Sequence, residues 1–180
     1  KDLVEATKWY RKAAEQGNTD AQYRLGVLYA EGRGAAADHA KAAEWWMKSA
    51  SQGEPLAQAA LALLYEKGLG VQQDEAKAAE WYEKAAEQGN ATAQACLAYR
   101  YEKGLGVQQD EVRAVKWYGK AATQGDAESR RRLEAMYAAG SNLSCASVKV
   151  AELLCEFAEQ GNSDAQLRLG NGLGNIAARR

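Results

Sequence analysis

The residues most often used for catalysis are few in this sequence, and their spacing does not favour a reaction. His39 is the only histidine, so there is no histidine pair for zinc and no indication of a Ser-His-Asp triad. Its position aligns with Glu75 and Glu111 at a spacing of 36 residues, which favours a solvated side chain over a catalytic base. Carboxylates are numerous, but no pair is placed to meet in a cleft. We therefore predict that the chain is not an enzyme and has no metal site.

The cysteines and the glycine-rich loops also favour a structural interpretation. Cys96, Cys145 and Cys155 stand at irregular spacings. The last two would lie about 15 Å apart along a helix, which is too far for a disulfide. Free thiols are therefore predicted, and they favour a reducing compartment without excluding another. The Gly-x-Gly loops follow helices and lack the Lys-Ser/Thr of a phosphate-binding loop, so we predict no cofactor; they are Gly32-Arg33-Gly34, Gly68-Leu69-Gly70 and Gly104-Leu105-Gly106.

A period of 36 residues organises the chain. Glycine, tryptophan and leucine each recur at this step, and five units of 36 account for the 180 residues. A fixed period of this length is typical of stacked helical repeats. Because tryptophan recurs from unit to unit, we interpret it as part of the repeat core and not as a ligand cage. The series include Gly17, Gly53, Gly89, Gly125 and Gly161, and Trp9, Trp45, Trp81 and Trp117.

Each unit is predicted to contain two helices. The first spans 19–31 and has an apolar stripe at helical spacing that includes Leu25, Leu28 and Tyr29. The second spans 39–51, with Asp38 as its N-cap. Residues 1–174 are predicted to form one solenoid domain. It comprises a second-type helix 2–15, repeats 18–53, 54–89, 90–125 and 126–161, and a terminal helix 162–173, with a tail 175–180.

Composition narrows the possible partners. Helix-favouring residues dominate, and Pro55 is the only proline. The 23 basic and 24 acidic residues give a net charge of −1, which gives no indication of binding to nucleic acid or to an anionic membrane. No apolar run approaches the roughly 18 residues of a transmembrane helix. We predict neither nucleic-acid binding nor membrane insertion.

The repeated motif resembles the Sel1-like repeat (SLR) family, a branch of the tetratricopeptide-like (TPR-like) superfamily. It contains Ala-x-x-x-Leu-Gly-x-x-Tyr, then Gly-x-Gly-Val-x-x-Asp, then Lys-Ala-x-x-Trp-Tyr-x-Lys-Ala-Ala, and matches best in 21–53, 57–89 and 93–122. The resemblance implies an all-α fold, a right-handed α-solenoid of about five antiparallel helix pairs whose first helices line a concave face. The fifth unit departs from the motif, with Asn142 at a loop glycine, Ala146 at the capping aspartate and Leu153-Leu154 at the aromatic pair.

If the leucine stripe faces the core, the opposite arc of each first helix is the candidate binding surface. This arc holds apolar and aromatic side chains where a merely solvated surface would hold charge throughout. Aromatic residues and arginine are enriched at protein interfaces. Contact with the next repeat is the alternative interpretation. The candidate residues are Tyr23, Arg24, Val27, Leu63, Glu66, Tyr99, Arg100, Arg131 and Arg132.

Three functional hypotheses follow. The leading one is an adaptor that binds a peptide or a partner protein on its concave face, with no small-molecule substrate. The second, which rests on the family resemblance alone, is binding or hydrolysis of a β-lactam or a cell-wall peptide. The third is a structural spacer within a longer chain, since the sequence starts at Lys1 in mid-repeat. The resemblance suggests a bacterial protein and leaves its compartment, cytoplasmic or exported, open.

Overall fold

The computed structural model describes residues 2–34 and 36–139, and for residues 2 and 137–139 it describes the backbone alone. These residues form α-helices joined by turns, without a strand. The bounds predicted for the first three helices are confirmed. The predicted terminal helix, the tail, the fifth-unit departures, Cys145 and Cys155 lie outside the described residues. The helices are α1 (Asp2–Glu15), α2 (Thr19–Glu31), α3 (His39–Ser51), α4 (Pro55–Lys67), α5 (Glu75–Glu87), α6 (Ala91–Lys103), α7 (Glu111–Thr123) and α8 (Ala127–Ala139).

Local capping fixes where these helices begin and end. The side chain of Asn18 accepts a hydrogen bond from the backbone amide of Ala21 at 2.8 Å, and Asp38 accepts one from Lys41 at 3.0 Å. Each bond satisfies an amide that has no partner within its helix. At the other end of α2, Gly32 adopts φ +67° and its amide bonds the carbonyl of Leu28, a conformation that costs glycine little.

The described residues fall into two compact units. The first contains 2–34, 36–93 and 105–107, and the second contains 94–104 and 108–139. In the first unit, consecutive helices from α1 to α5 pack against each other. Its core includes Leu25 and Tyr29 of α2, Trp46 of α3 and Leu61 of α4. In the second unit α7 packs against α8.

A buried glutamine links each helix pair of the first unit to the helix before it. The Gln58 side-chain amide donates to the backbone carbonyl of Ala50 at 3.1 Å, and its oxygen accepts from Gln88 at 2.8 Å. Gln22 makes the corresponding bond to the carbonyl of Ala14 at 3.1 Å. Each carbonyl also accepts from a backbone amide, that of Gly53 or Gly17, at 3.0 Å, so the glutamines add a second bond that links adjacent helix pairs.

Candidate partner-binding surface

The first-unit candidates lie on the outward side of α2 and α4, with different degrees of exposure. Tyr23 and Val27 are half-buried and pack against the core. Arg24 is exposed and pairs with Asp20, with 2.7 Å between Nε and Oδ2. Leu63 is 45% exposed. Of these side chains, Leu63 therefore offers the most apolar surface to a partner.

Leu56 was missed in the sequence analysis. It lies two turns before Leu63 on the same side of α4 and is also exposed. The signal was present, because the same register holds the polar residues Asp20, Thr92 and Glu128 in the other units. Leu56 therefore adds to the exposed apolar surface on this side of α4.

The Glu66 carboxylate is held in place by two neighbours. Tyr82 donates its hydroxyl to Oε2 at 3.1 Å, and Lys67 lies 2.9 Å from Oε1. The side chain is half-buried, so its orientation is set by the core tyrosine beneath it. Glu66 thus places a fixed negative charge beside the exposed Leu63.

In the second unit, α6 and α8 bring five predicted or neighbouring side chains together. Tyr99 is 40% exposed, and the guanidinium carbon of Arg132 lies 5.5 Å from the centre of its ring. Arg132 also bonds Glu128 at 3.1 Å and Glu102 at 3.4 Å. Arg131 bonds the other oxygen of Glu128 at 2.8 Å. We call Tyr99, Glu102, Glu128, Arg131 and Arg132 the arginine–tyrosine cluster.

Glu102 is the fixed charge beneath this cluster. Burial raises the pKa of Glu102, but the hydrogen bonds from Lys103 and Tyr118 and the charges of Lys103 and Arg132 outweigh it, so the pKa lies below its ordinary value. Tyr118 donates to Oε2 at 2.8 Å. Burial, with the bond to Glu102 and its charge, raises the pKa of Tyr118. The carboxylate therefore stays ionised and orients Arg132.

Arg100 does not belong to the exposed surface, and its predicted place there is wrong. It is 2% exposed. The physical reason is the repeat register, in which Arg100 occupies the position of Leu28 and Leu64, both of which are buried. The leucine stripe used in the sequence analysis already contained this position, so the error could have been avoided.

Other candidate chemistry has little support. Within the described ranges, no three His, Cys, Asp or Glu side chains converge as a metal ion would need. Each described helix is too short or too polar to cross a lipid bilayer. His39 was predicted to be solvated, but it is half-buried. Its Nδ1 atom is buried without a hydrogen-bond partner among the described atoms. Cys96 is half-buried, and within the described residues it is not part of a disulfide.

Comparison with known families identifies the repeat. The sequence profile of the Sel1 repeat matches residues 1–18, 19–54, 55–90 and 91–126. The chain belongs to the Sel1 repeat family. The predicted fold class, an all-α solenoid of Sel1-like helix pairs, is thereby confirmed, and proteins of the Sel1 repeat family are generally interaction scaffolds. The comparison with curated proteins gave no match.

Solved structures of other Sel1 repeat proteins are similar to this chain. One is c5321, a protective antigen of uropathogenic Escherichia coli with an SLR fold, at 36% identity and a TM-score of 0.75 over 99% of this chain. This chain spans only 46% of the length of c5321. A Sel1 repeat protein from Oxalobacter formigenes has 37% identity and a TM-score of 0.72, over 95% of this chain and 70% of its own. Helicobacter pylori cysteine rich protein B has 28% identity and a TM-score of 0.58, over 72% of this chain and 92% of its own.

Proposed function

We propose that this Sel1 repeat chain is a protein-interaction scaffold and that the outward sides of its first helices bind the partner. The observation that carries the proposal is the exposure of large side chains there, Leu63 in the first unit and Tyr99 in the second. Both occupy one register position, which holds Val27 in the first pair. A recurring apolar position that the core does not bury is available for a partner.

The physical basis is the burial of exposed apolar side chains that α-helices hold in place. Covering the exposed part of a leucine or a tyrosine contributes about 25 cal/mol per Å² of apolar area. Both side chains are carried by α-helices, α4 and α6, and α4 packs against α3 and α5, so binding orders few backbone residues and loses little conformational entropy. Tyrosine and arginine are the residue types that most often dominate interface energies, and both occur in the arginine–tyrosine cluster.

The test starts from peptides selected on the protein itself. A phage-displayed library of random peptides is selected on the purified chain, and the enriched peptides are synthesised and titrated by fluorescence anisotropy. We expect Leu63→Glu or Tyr99→Ala to weaken binding of such peptides by about tenfold or more, and the double variant to abolish it. Circular dichroism should show that each variant keeps its helical content.

Leu69 provides a matched control for Leu63. It is also an exposed leucine of the first unit, but it lies in the loop after α4 and not on a first helix. Leu69→Glu introduces the same charge and should leave peptide affinity unchanged. Full affinity in the folded Leu63→Glu and Tyr99→Ala variants would show that the first helices do not bind the partner.

The hydrolase alternative rests on family resemblance alone. A nitrocefin turnover assay on the purified protein tests it directly, and we expect no turnover.

A further inference from the structure

The first helices of the two units differ in charge. α2 and α4 together carry two basic and three acidic residues, whereas α6 and α8 carry five basic and three acidic ones. Three of the basic residues are consecutive, at 130–132. Arg100 is buried, and without it α6 and α8 still carry four basic residues against three acidic ones. The exposed Tyr99 lies on α6.

The carboxylates of the arginine–tyrosine cluster are shared between cations. Glu128 is shared by Arg131 and Arg132. Glu102 is shared between Arg132 and Lys103, which lies next to the cluster. The side chain of Arg131 is 73% exposed, so a carboxylate from outside can reach its guanidinium group.

Building on the proposed function, we propose that the arginine–tyrosine cluster binds a carboxylate-rich segment of the partner protein. Guanidinium groups match carboxylates in geometry and can bond them with two parallel N–H donors. Arg131 and Arg132 are held side by side by Glu128, and Glu102 fixes Arg132 over the ring of Tyr99. The exposed part of that ring provides an apolar contact next to the charged one.

The probe is a fluorescein-labelled peptide with the sequence Glu-Asp-Glu-Leu repeated twice, titrated by anisotropy. Its control is Gln-Asn-Gln-Leu repeated twice, which has nearly the same shape without the charge. We expect the acidic peptide to bind about tenfold more tightly than the amide peptide. The preference should decrease as salt rises from about 50 mM to 500 mM, because salt screens exposed charges.

The second unit supplies a matched control variant outside the first helices. Arg113 of α7 pairs with Asp110, with 3.4 Å between Nε and Oδ2, and its guanidinium carbon lies 5.3 Å from the centre of the Tyr101 ring. Arg132→Gln and Arg113→Gln each remove the charge of an arginine that pairs with a carboxylate and contacts a tyrosine ring, and only the first should weaken acidic-peptide binding, by about fivefold or more. Arg131→Gln, at a more exposed position, should act in the same direction and covers the case in which Arg132→Gln loses helical content.

The outcomes separate this inference from the proposed function. Equal affinity for the two peptides, or equal losses in Arg113→Gln and Arg132→Gln, would overturn the carboxylate assignment. If library-selected peptides still depended on Tyr99 and Leu63 in that case, the scaffold function would stand and only the partner chemistry would be wrong. If neither the selected nor the acidic peptides bound, both would fail.

Discussion

Replacing Gly70 with alanine tests how closely the loop of one helix pair must approach the preceding pair. Gly70 has φ +69°, and a Cβ there would lie 2.6 Å from the carbonyl oxygen of His39, against the backbone of the first turn of α3. Non-bonded carbon atoms are usually about 3.5–4.0 Å apart, so loop and helix must separate by on the order of 1 Å. The atoms that this Cβ would meet are backbone atoms, so the rotation of a side chain cannot relieve the contact.

The expected loss of unfolding free energy in Gly70→Ala has two causes. A second variant, Gly53→Ala, measures one of them alone. Gly53 also has positive φ, +94°, but a Cβ there would meet nothing within 4 Å. Gly53→Ala should therefore cost only the left-handed backbone conformation, about 1–2 kcal/mol. Gly70→Ala should add an overpacking cost of about 1–3 kcal/mol, giving a total of about 2–5 kcal/mol.

Urea unfolding followed by circular dichroism at 222 nm measures the difference. With a slope of about 2 kcal/mol per molar urea, the Gly70→Ala midpoint should lie roughly 0.5–1.5 M below that of Gly53→Ala. Gly70→Asn adds a further check, because asparagine enters the left-handed region more readily but still carries a Cβ. Coincident curves for Gly53→Ala and Gly70→Ala would refute the argument that this loop needs a glycine for close approach.

Three further predictions concern the core and its charges. Gly26→Ala would place a Cβ against the indole of Trp46, whose Cε2 would be only 3.0 Å away, and should lower the free energy of unfolding by about 1–3 kcal/mol. A second change in the same chain, Trp46→Tyr, should restore most of the urea midpoint. Gln58→Leu should lower the free energy of unfolding by about 0.5–1.5 kcal/mol, because it removes the bonds to Ala50 and Gln88 while the Ala50 carbonyl keeps the backbone amide of Gly53 as a donor; urea titration measures this. Because the pKa of Glu102 is lowered in the folded state, its carboxylate stabilises the fold above its ordinary pKa, and this stabilisation is lost as pH falls through the lowered pKa. Glu102→Gln should therefore unfold at less urea than wild type at about pH 7, and the gap should narrow as the pH falls through the lowered pKa of Glu102.

The helical architecture could be predicted from the sequence because its determinants are local and repeated. Asn18 and Asp38 accept the amide bonds that their positions suggested, and Gly32 has the left-handed φ expected of a helix end. Each such signal is weak when taken alone. Their recurrence at 36-residue spacing removes the ambiguity, because every unit has to satisfy the same packing.

Exposure on the outward arc was harder to predict, because a helical wheel shows direction and not coverage. Leu63 and Tyr99 are exposed as expected, whereas Tyr23 and Val27 lie on the same arc and are half-buried against the core. How far a neighbouring helix covers a flank depends on the angle between the helices, which the sequence pattern does not specify. The prediction for Arg100 failed for a different reason. Its register position belongs to the buried stripe, but the charge of an arginine side chain was taken to indicate exposure.

The core and the surface of each helix pair are coupled, which explains how one fold can present different chemistry. In the first pair, Trp46 donates its indole N–H to the backbone carbonyl of Tyr23 at 3.0 Å, and Gly26 leaves room for the ring. In the next pair the same core position holds Tyr82, whose hydroxyl bonds Glu66 on the outward side. A tryptophan there is satisfied by the backbone, whereas a tyrosine fixes a surface carboxylate. The first pair has Ala30 at the position of Glu66, so the tyrosine and the glutamate occur together in the second pair and neither occurs in the first.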